Sequence, residues 1–144
     1  GWLVAPEAAV PGLEKLAQNL FLAAATPAQH AALAAFTPET LAIVDARKAE
    51  LRARRDYLLP QLEALGCKFA VRPQGAFYLY ADISALAGNS FDLAETLLQE
   101  AGVATTPGID FGTHQATRFL RIAYTQPVAR LETAVARMQQ TLRR

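Results

Sequence analysis

Apolar residues recur three and four positions apart in four stretches of the sequence, which predicts an amphipathic helix in each. The four stretches are residues 7–20, 38–65, 91–101 and the segment that begins at Pro127. The third is expected to be capped within the loop Gly88-Asn89-Ser90 and to end at Gly102. A fifth helix, short and apolar, is predicted over residues 28–36, with Thr26 as its N-terminal cap. The last helix is expected to face the core with Leu131, Val135, Met138 and Leu142.

The longest predicted helix, residues 38–65, has a signal at each end. Thr37 is a suitable N-cap and Pro38 a suitable first helical residue, while Gly66 is a suitable C-terminal stop. Such a helix would extend about 42 Å, long enough to bridge two domains. Its charged residues are expected to form a solvated face, and Pro60 is expected to kink the last turns.

Strand-like patterns occur in five other stretches of the sequence. They are residues 2–5, 68–72, 76–83, 103–105 and 118–124. The turn Pro73-Gln74-Gly75 joins the second to the third and predicts that these two strands pair. From Thr37 onward the order helix, strand, strand, helix, strand, strand, helix predicts an α+β fold, with helices packed on a small mixed or antiparallel sheet. Residues 1–36 lie outside this pattern and are predicted to be the tail of another domain.

The composition of the 144 residues fits a folded domain and excludes several classes of function. A formal net charge of +1 gives no electrostatic reason to expect binding to nucleic acid or to an anionic membrane. The apolar runs are far shorter than the ~18 residues that a membrane-spanning helix needs. The single cysteine, Cys67, favours a reducing, cytoplasmic location and is expected to be a small buried residue. No cysteine spacing typical of a metal site occurs.

Arg121 lies in the middle of the apolar strand predicted over residues 118–124. A guanidinium in such a strand needs an anion, and it binds a carboxylate through two parallel hydrogen bonds. The strand alone leaves two partners open. One is the carboxylate of a small-molecule substrate, and the other is an Asp or Glu of the same chain in a structural ion pair.

Three motifs follow one another along the chain. They are Gly1-Trp2-Leu3-Val4-Ala5-Pro6, Pro73-Gln74-Gly75-Ala76-Phe77-Tyr78, and Pro107-Gly108-x-x-Phe111-Gly112 followed by Arg121-Ile122-Ala123-Tyr124. With the long helix between the first and the second, the ordered set resembles the C-terminal half of the class I/II aminotransferases. These are pyridoxal-phosphate enzymes of the aspartate aminotransferase fold, fold type I. The resemblance covers essentially the whole chain.

The resemblance implies a reaction, a cofactor and a set of site residues. The reaction is amino transfer between an L-amino acid and a 2-oxo acid through pyridoxal 5'-phosphate, in a homodimer. Arg121 would bind the α-carboxylate of the substrate, and Gly75, Ala76 and Phe77 would border the substrate pocket. The turn at residues 107–112 would shape the entrance. Residues 1–36 would belong to the large cofactor-binding domain and residues 37–144 to the small C-terminal domain.

The same resemblance places the Schiff-base lysine upstream of Gly1. Lys15, Lys48 and Lys68 lie outside any matching motif, so no catalytic or cofactor-binding residue is expected in this chain. The chain is therefore expected to be the C-terminal portion of a longer enzyme, without covalently bound cofactor and inactive alone. Two alternatives stay open, namely a stand-alone carboxylate-binding or regulatory module and a pyridoxal-phosphate lyase of the same fold.

Other candidate residues are interpreted as structural. Arg118 is expected on the opposite face of the strand from Arg121, as a surface or structural residue. His114 is expected to be a solvated loop residue, and His30 a structural residue in an alanine-rich helix. For Tyr78 a place in the core and a place at the pocket are equally compatible with the sequence, as they are for Phe77.

Overall fold

The structure of the protein is a computed structural model that describes residues 3–143. The chain divides into two compact units, residues 1–45 and 46–144. The helices are α1 (Val10–Leu20), α2 (Thr26–Ala35), α3 (Pro38–Leu65), α4 (Ser90–Ala101) and α5 (Val128–Leu142). The strands are β1 (Tyr78–Asp82), β2 (Thr106–Pro107) and β3 (Phe119–Ala123). Single 3₁₀ turns occur at Glu7–Ala9, Gly108–Asp110 and Ala116–Arg118.

The first unit has apolar side chains but no interior of its own. None of the residues described between 3 and 45 is buried. The strand predicted over residues 2–5 is wrong for residues 3–5, which form no strand, and Trp2 lies outside the described residues. A strand needs a partner for its backbone hydrogen bonds, and no described residue pairs with this segment. Leu3 and Val4 are accordingly 71% and 82% exposed.

Of the two helix caps predicted in this unit, one is confirmed and the other is wrong. The backbone amide of Thr40 donates to the Thr37 hydroxyl at 3.4 Å, so Thr37 caps α3 as predicted. The prediction of Thr26 as a cap is wrong, because α2 begins at Thr26 and its cap residue is Ala25. The Ala25 carbonyl accepts hydrogen bonds from the next turn, and the helix begins two residues earlier than the predicted start at residue 28.

The second unit is an antiparallel sheet covered by helices on one face, which confirms the predicted α+β class. The strand order is β1-β3-β2, so β3 is central. Alternate side chains of a strand point to opposite faces. Leu79, Ala81, Leu120 and Ile122 are buried in the core with residues of α3, α4 and α5. The other face of the sheet carries Tyr78, Tyr80, Asp82, Phe119 and Arg121.

Two predicted strands are corrected by the structure. Over residues 68–72 only Lys68 pairs with the sheet, through a single bridge to Asp82. Phe69 and Val71 do not share a buried face, because Phe69 packs on the core whereas Val71 is 79% exposed. The strand predicted over residues 103–105 is displaced, and the paired residues are Thr106–Pro107.

The ends of α3 and α4 agree with the sequence. The Asn89 side chain accepts a hydrogen bond from the Phe91 amide at 2.9 Å and caps α4. Gly102 ends α4 in the left-handed conformation with φ 63°, and Gly66 follows α3 with φ 108°. Both positions favour glycine because it lacks a Cβ. Helix α3 continues through Pro60.

Asp82 joins the end of β1 to two neighbouring segments. Its carboxylate accepts hydrogen bonds from the hydroxyl and amide of Ser84, at 2.6 and 2.9 Å, and forms an ion pair with Arg118. The hydrogen bonds from Ser84 are the main reason that the pKa of Asp82 is lowered to about 2, and Arg118 adds to the effect.

The lowered pKa of Asp82 predicts a pH-dependent contribution to stability. An unfolded Asp has a pKa of about 3.9, so the stabilisation is complete above that pH and is lost as the pH falls from about 4 towards 2. Asp82→Asn should lower the free energy of unfolding by about 1 kcal/mol at neutral pH. In thermal unfolding, the midpoint of Asp82→Asn should lie below that of wild type at neutral pH and approach it in acid. The control is Asp110→Asn, which changes an exposed aspartate. A difference that stays constant with pH would contradict this account.

Candidate functional site

Arg121 lies at the centre of the sheet face that the helices leave uncovered. It occupies the middle of β3, opposite Tyr80 on β1 and Thr106 on β2. Its neighbours Leu120 and Ile122 point into the core, so the Arg121 side chain points the other way. The central strand thus presents a half-buried cation beside aromatic side chains, and the face also carries the Asp82 carboxylate.

Two aromatic rings pack against the Arg121 guanidinium. Its central carbon lies 4.6 Å from the centroid of the Phe111 ring and 5.5 Å from that of the Tyr78 ring. Such contacts stabilise a cation while using none of its strong hydrogen-bonding capacity, because a ring face is only a weak acceptor. The rings therefore position the guanidinium and leave its N–H groups available for an anion.

The hydrogen bonds of Arg121 are incomplete. Its Nη2 donates to the Thr106 hydroxyl at a long 3.4 Å, and its buried Nε has no partner. Among residues 3–143, no ion pair joins Arg121 to an Asp or Glu, so the structural pair that the sequence left open is not formed there. A guanidinium has five N–H donors, and a buried donor without a partner costs about 1–3 kcal/mol. A bound carboxylate would accept hydrogen bonds from two of the guanidinium N–H groups.

A cleft of about 340 Å³ lies beside Arg121, and its walls are aromatic. It is lined by Tyr78, Tyr80, Phe111 and Arg121. Tyr80 also stacks on Phe119, with 5.0 Å between ring centroids. One cation among aromatic walls suits a small ligand that carries a carboxylate and an apolar portion.

The turn at Gly75, Ala76 and Phe77 lies next to this cleft and does not line it. Gly75 and Ala76 line a neighbouring cavity of about 620 Å³, which shares Tyr78 and Tyr80 with the cleft. Phe77 is 47% exposed and contacts the Tyr78 ring edge to face. Their assignment to the border of a substrate pocket stays a prediction.

Several residues at the site were not predicted from the sequence. Tyr78 was expected in the core or at the pocket, but the sequence did not indicate that Tyr80 lies opposite Arg121 or that Tyr78 packs on its guanidinium. Phe111 was visible only as part of a turn motif. Tyr124 appeared in the sequence only as the end of the motif that begins at Arg121, and its role was not predicted; it is buried and its hydroxyl donates to the turn at Gly75.

The residues interpreted as structural mostly have that role. Arg118 pairs with Asp82 and donates to Gln115, which fits the expected structural role. The expected place on the strand face opposite Arg121 is wrong, because Arg118 ends a 3₁₀ turn before β3 and pairs with Asp82 on the same face as Arg121. Cys67 is buried, and burial raises its pKa to about 11. His30 and His114 are exposed. Within residues 3–143 no helix is long and apolar enough to cross a membrane, and no cluster of metal-binding side chains occurs.

Comparison with known proteins identifies the family. The family described as aminotransferase class I and II matches residues 1–138. The chain is 36% identical over 138 residues to a valine–pyruvate aminotransferase of Mycobacterium tuberculosis, covering 96% of this chain and 36% of that protein. It is 37% identical over 146 residues to an aspartate/prephenate aminotransferase of Thermus thermophilus, covering 100% of this chain and 37% of that protein.

A solved structure gives the same result. The crystal structure of an aminotransferase from Mycobacterium tuberculosis has a TM-score of 0.89 at 35% identity and covers 99% of this chain and 37% of that one. The chain therefore belongs to the class I and II aminotransferase family. It spans 36% to 37% of the length of the two relatives described above.

Proposed function

We propose that this chain is the C-terminal portion of a pyridoxal-phosphate-dependent aminotransferase that moves an amino group between an L-amino acid and a 2-oxo acid. In this proposal Arg121 binds the α-carboxylate of the substrate. The observation that carries the proposal is the Arg121 guanidinium, held between two rings with its Nε buried and without a partner. Membership of the aminotransferase family supports it.

The residues around Arg121 suit the substrate and not the attachment of the cofactor. Covalent attachment of pyridoxal phosphate needs a lysine amine, and no lysine lines the cleft. When bound, the cofactor supplies the electron sink for bond breaking at the substrate Cα. We place the residues that bind the cofactor in parts of the full-length protein other than this chain. Within this chain, we assign residues 1–36 to the large domain and residues 37–144 to the small domain.

The contribution of Arg121 is orientation. Two parallel hydrogen bonds from its guanidinium would fix both oxygens of the carboxylate and so the rotation of the substrate about its Cα. Rotation about Cα decides which of its bonds is aligned for cleavage, so a fixed carboxylate selects the reaction. The aromatic walls formed by Tyr78 and Phe111 would exclude water from this ion pair, which strengthens it.

A substrate panel on the full-length protein tests the proposal. An aminotransferase should convert an amino acid only when a 2-oxo acid acceptor is present, with stoichiometric formation of the second amino acid. Conversion without an acceptor would instead indicate a lyase of the same fold. Carboxylate binding without turnover of any substrate would indicate a binding or regulatory module.

We also propose that the full-length protein is a cytoplasmic homodimer that acts in amino-acid metabolism. The free thiol of Cys67 is compatible with a reducing compartment. The first unit has many exposed apolar side chains and no buried residue within residues 3–45, so other protein surface is expected to cover it. Light scattering of the full-length protein should give twice the monomer mass, and a monomer would contradict the proposal.

A further inference from the structure

Tyr124 connects the end of β3 to the turn at residues 75–77. Its hydroxyl shares its single proton between the carbonyl oxygens of Gly75 and Ala76, at 3.0 and 2.9 Å. Its backbone amide donates to the Phe77 carbonyl at 2.8 Å. The residue that directly follows the strand of Arg121 thus contacts three consecutive carbonyl groups of the turn.

The turn has little else to hold it in place. Gly75, Ala76 and Phe77 are all exposed, and Ala76 has φ 63°. This left-handed conformation is unfavourable for a residue with a Cβ, so contacts elsewhere must compensate for it. Burial raises the pKa of Tyr124, so its hydroxyl keeps its proton and remains a donor.

The turn continues directly into the site. Tyr78 follows Phe77, begins β1 and packs its ring on the Arg121 guanidinium at 5.5 Å. A displacement of the turn would therefore move a wall of the cleft, although Tyr124 itself does not line the cleft. Contacts run from Tyr124 through the turn to Tyr78 and back to Arg121.

We propose that Tyr124 is a positioning residue that holds the turn at residues 75–77 in one conformation, and thereby fixes the Tyr78 wall of the cleft beside Arg121. This inference rests on the proposed function for its effect on catalysis. The hydrogen bonds from Tyr124 to the turn are independent of that function. The experiment therefore measures the stability of the turn by hydrogen exchange and the reaction by kinetics, as two separate results.

Tyr124→Phe in the full-length holoenzyme removes the hydroxyl and keeps the ring that fills the core. Hydrogen exchange of the Tyr124 amide, which donates to the Phe77 carbonyl of the turn, should become about five- to tenfold faster, the effect of one lost hydrogen bond. The KM for the amino acid should rise about fivefold with little change in kcat, because the variant weakens binding of the ground state and transition state alike. The absorbance of bound pyridoxal phosphate should stay unchanged.

Tyr57→Phe is the matched control. Tyr57 is a half-buried tyrosine of α3 whose hydroxyl forms no hydrogen bond within the described part of the chain. Its replacement should change neither the exchange of the Tyr124 amide nor KM. Both variants keep an aromatic ring at their positions, so loss of the fold is not expected to obscure the comparison.

Each outcome decides a different question. Unchanged exchange of this amide in Tyr124→Phe would overturn the inference, whatever the kinetics show. Faster exchange with an unchanged KM would show that the turn is held by Tyr124 but does not position the substrate, and so would also overturn it. A wild-type protein without amino-transfer activity would overturn the proposed function, while the exchange rates would still decide whether Tyr124 holds the turn.

Discussion

In the full-length protein, Arg121→Lys should lower kcat/KM for the amino acid and the 2-oxo acid about 30- to 1,000-fold, which corresponds to about 2–4 kcal/mol. Lysine keeps the positive charge but presents a single ammonium group, so it cannot form the parallel pair of hydrogen bonds. It also cannot place a planar group between the rings of Phe111 and Tyr78. Steady-state kinetics with both substrates would measure the effect.

The control for this prediction separates the site from general effects of charge. Arg130→Lys makes the same change on the exposed surface of α5 and should leave kcat/KM within about twofold of wild type. The absorbance of bound pyridoxal phosphate should be the same in both variants and in wild type. An unchanged kcat/KM in Arg121→Lys would remove Arg121 from the site.

Gly108→Ala should lower the free energy of unfolding by about 1–3 kcal/mol, as expected for overpacking of a filled site. Gly108 is buried, and a Cβ there would overlap with the Ala116 carbonyl oxygen and lie 2.9 Å from that of Phe119. It would also lie 2.7 Å from the Tyr80 hydroxyl. Two of these three neighbours are backbone atoms, so the overlap can be removed only if the backbone of the turn moves.

The same substitution should affect the site, because the turn that begins at Gly108 carries Phe111. We therefore expect Gly108→Ala to raise KM as well as to lower the midpoint of thermal unfolding. Gly112→Ala is the matched control, since no atom lies within 4 Å of a Cβ at that position. Equal stability of Gly108→Ala and Gly112→Ala would show that the packing at Gly108 is looser than described.

The elements that the sequence predicted well are those with local determinants. Asn89 and Gly102 limit α4 through contacts within a few residues, and Thr37 caps α3 in the same way. The errors occurred where distant residues decide the outcome. Residues 68–72 alternate like a strand, yet only Lys68 finds a partner, and residues 3–5 have none within the described structure.

The candidate site was also predictable only where local sequence determines it. Arg121 could be singled out because a cation inside an apolar strand needs an anion. Its aromatic neighbours could not be identified, because Tyr78 and Phe111 meet it only through the register of three strands and the path of a turn. The role of Tyr124 depends on carbonyl groups 48 and 49 positions earlier in the chain, which no local pattern indicates.

The most direct test of the account is a crystal structure of the full-length protein with pyridoxal phosphate and an unreactive substrate analogue. An amino acid methylated at Cα is suitable, because it has no proton at Cα to transfer. The account predicts that both carboxylate oxygens lie within hydrogen-bond distance of the Arg121 guanidinium, at about 2.7–2.9 Å. A carboxylate bound elsewhere, with Arg121 turned to an Asp or Glu of the protein, would contradict it.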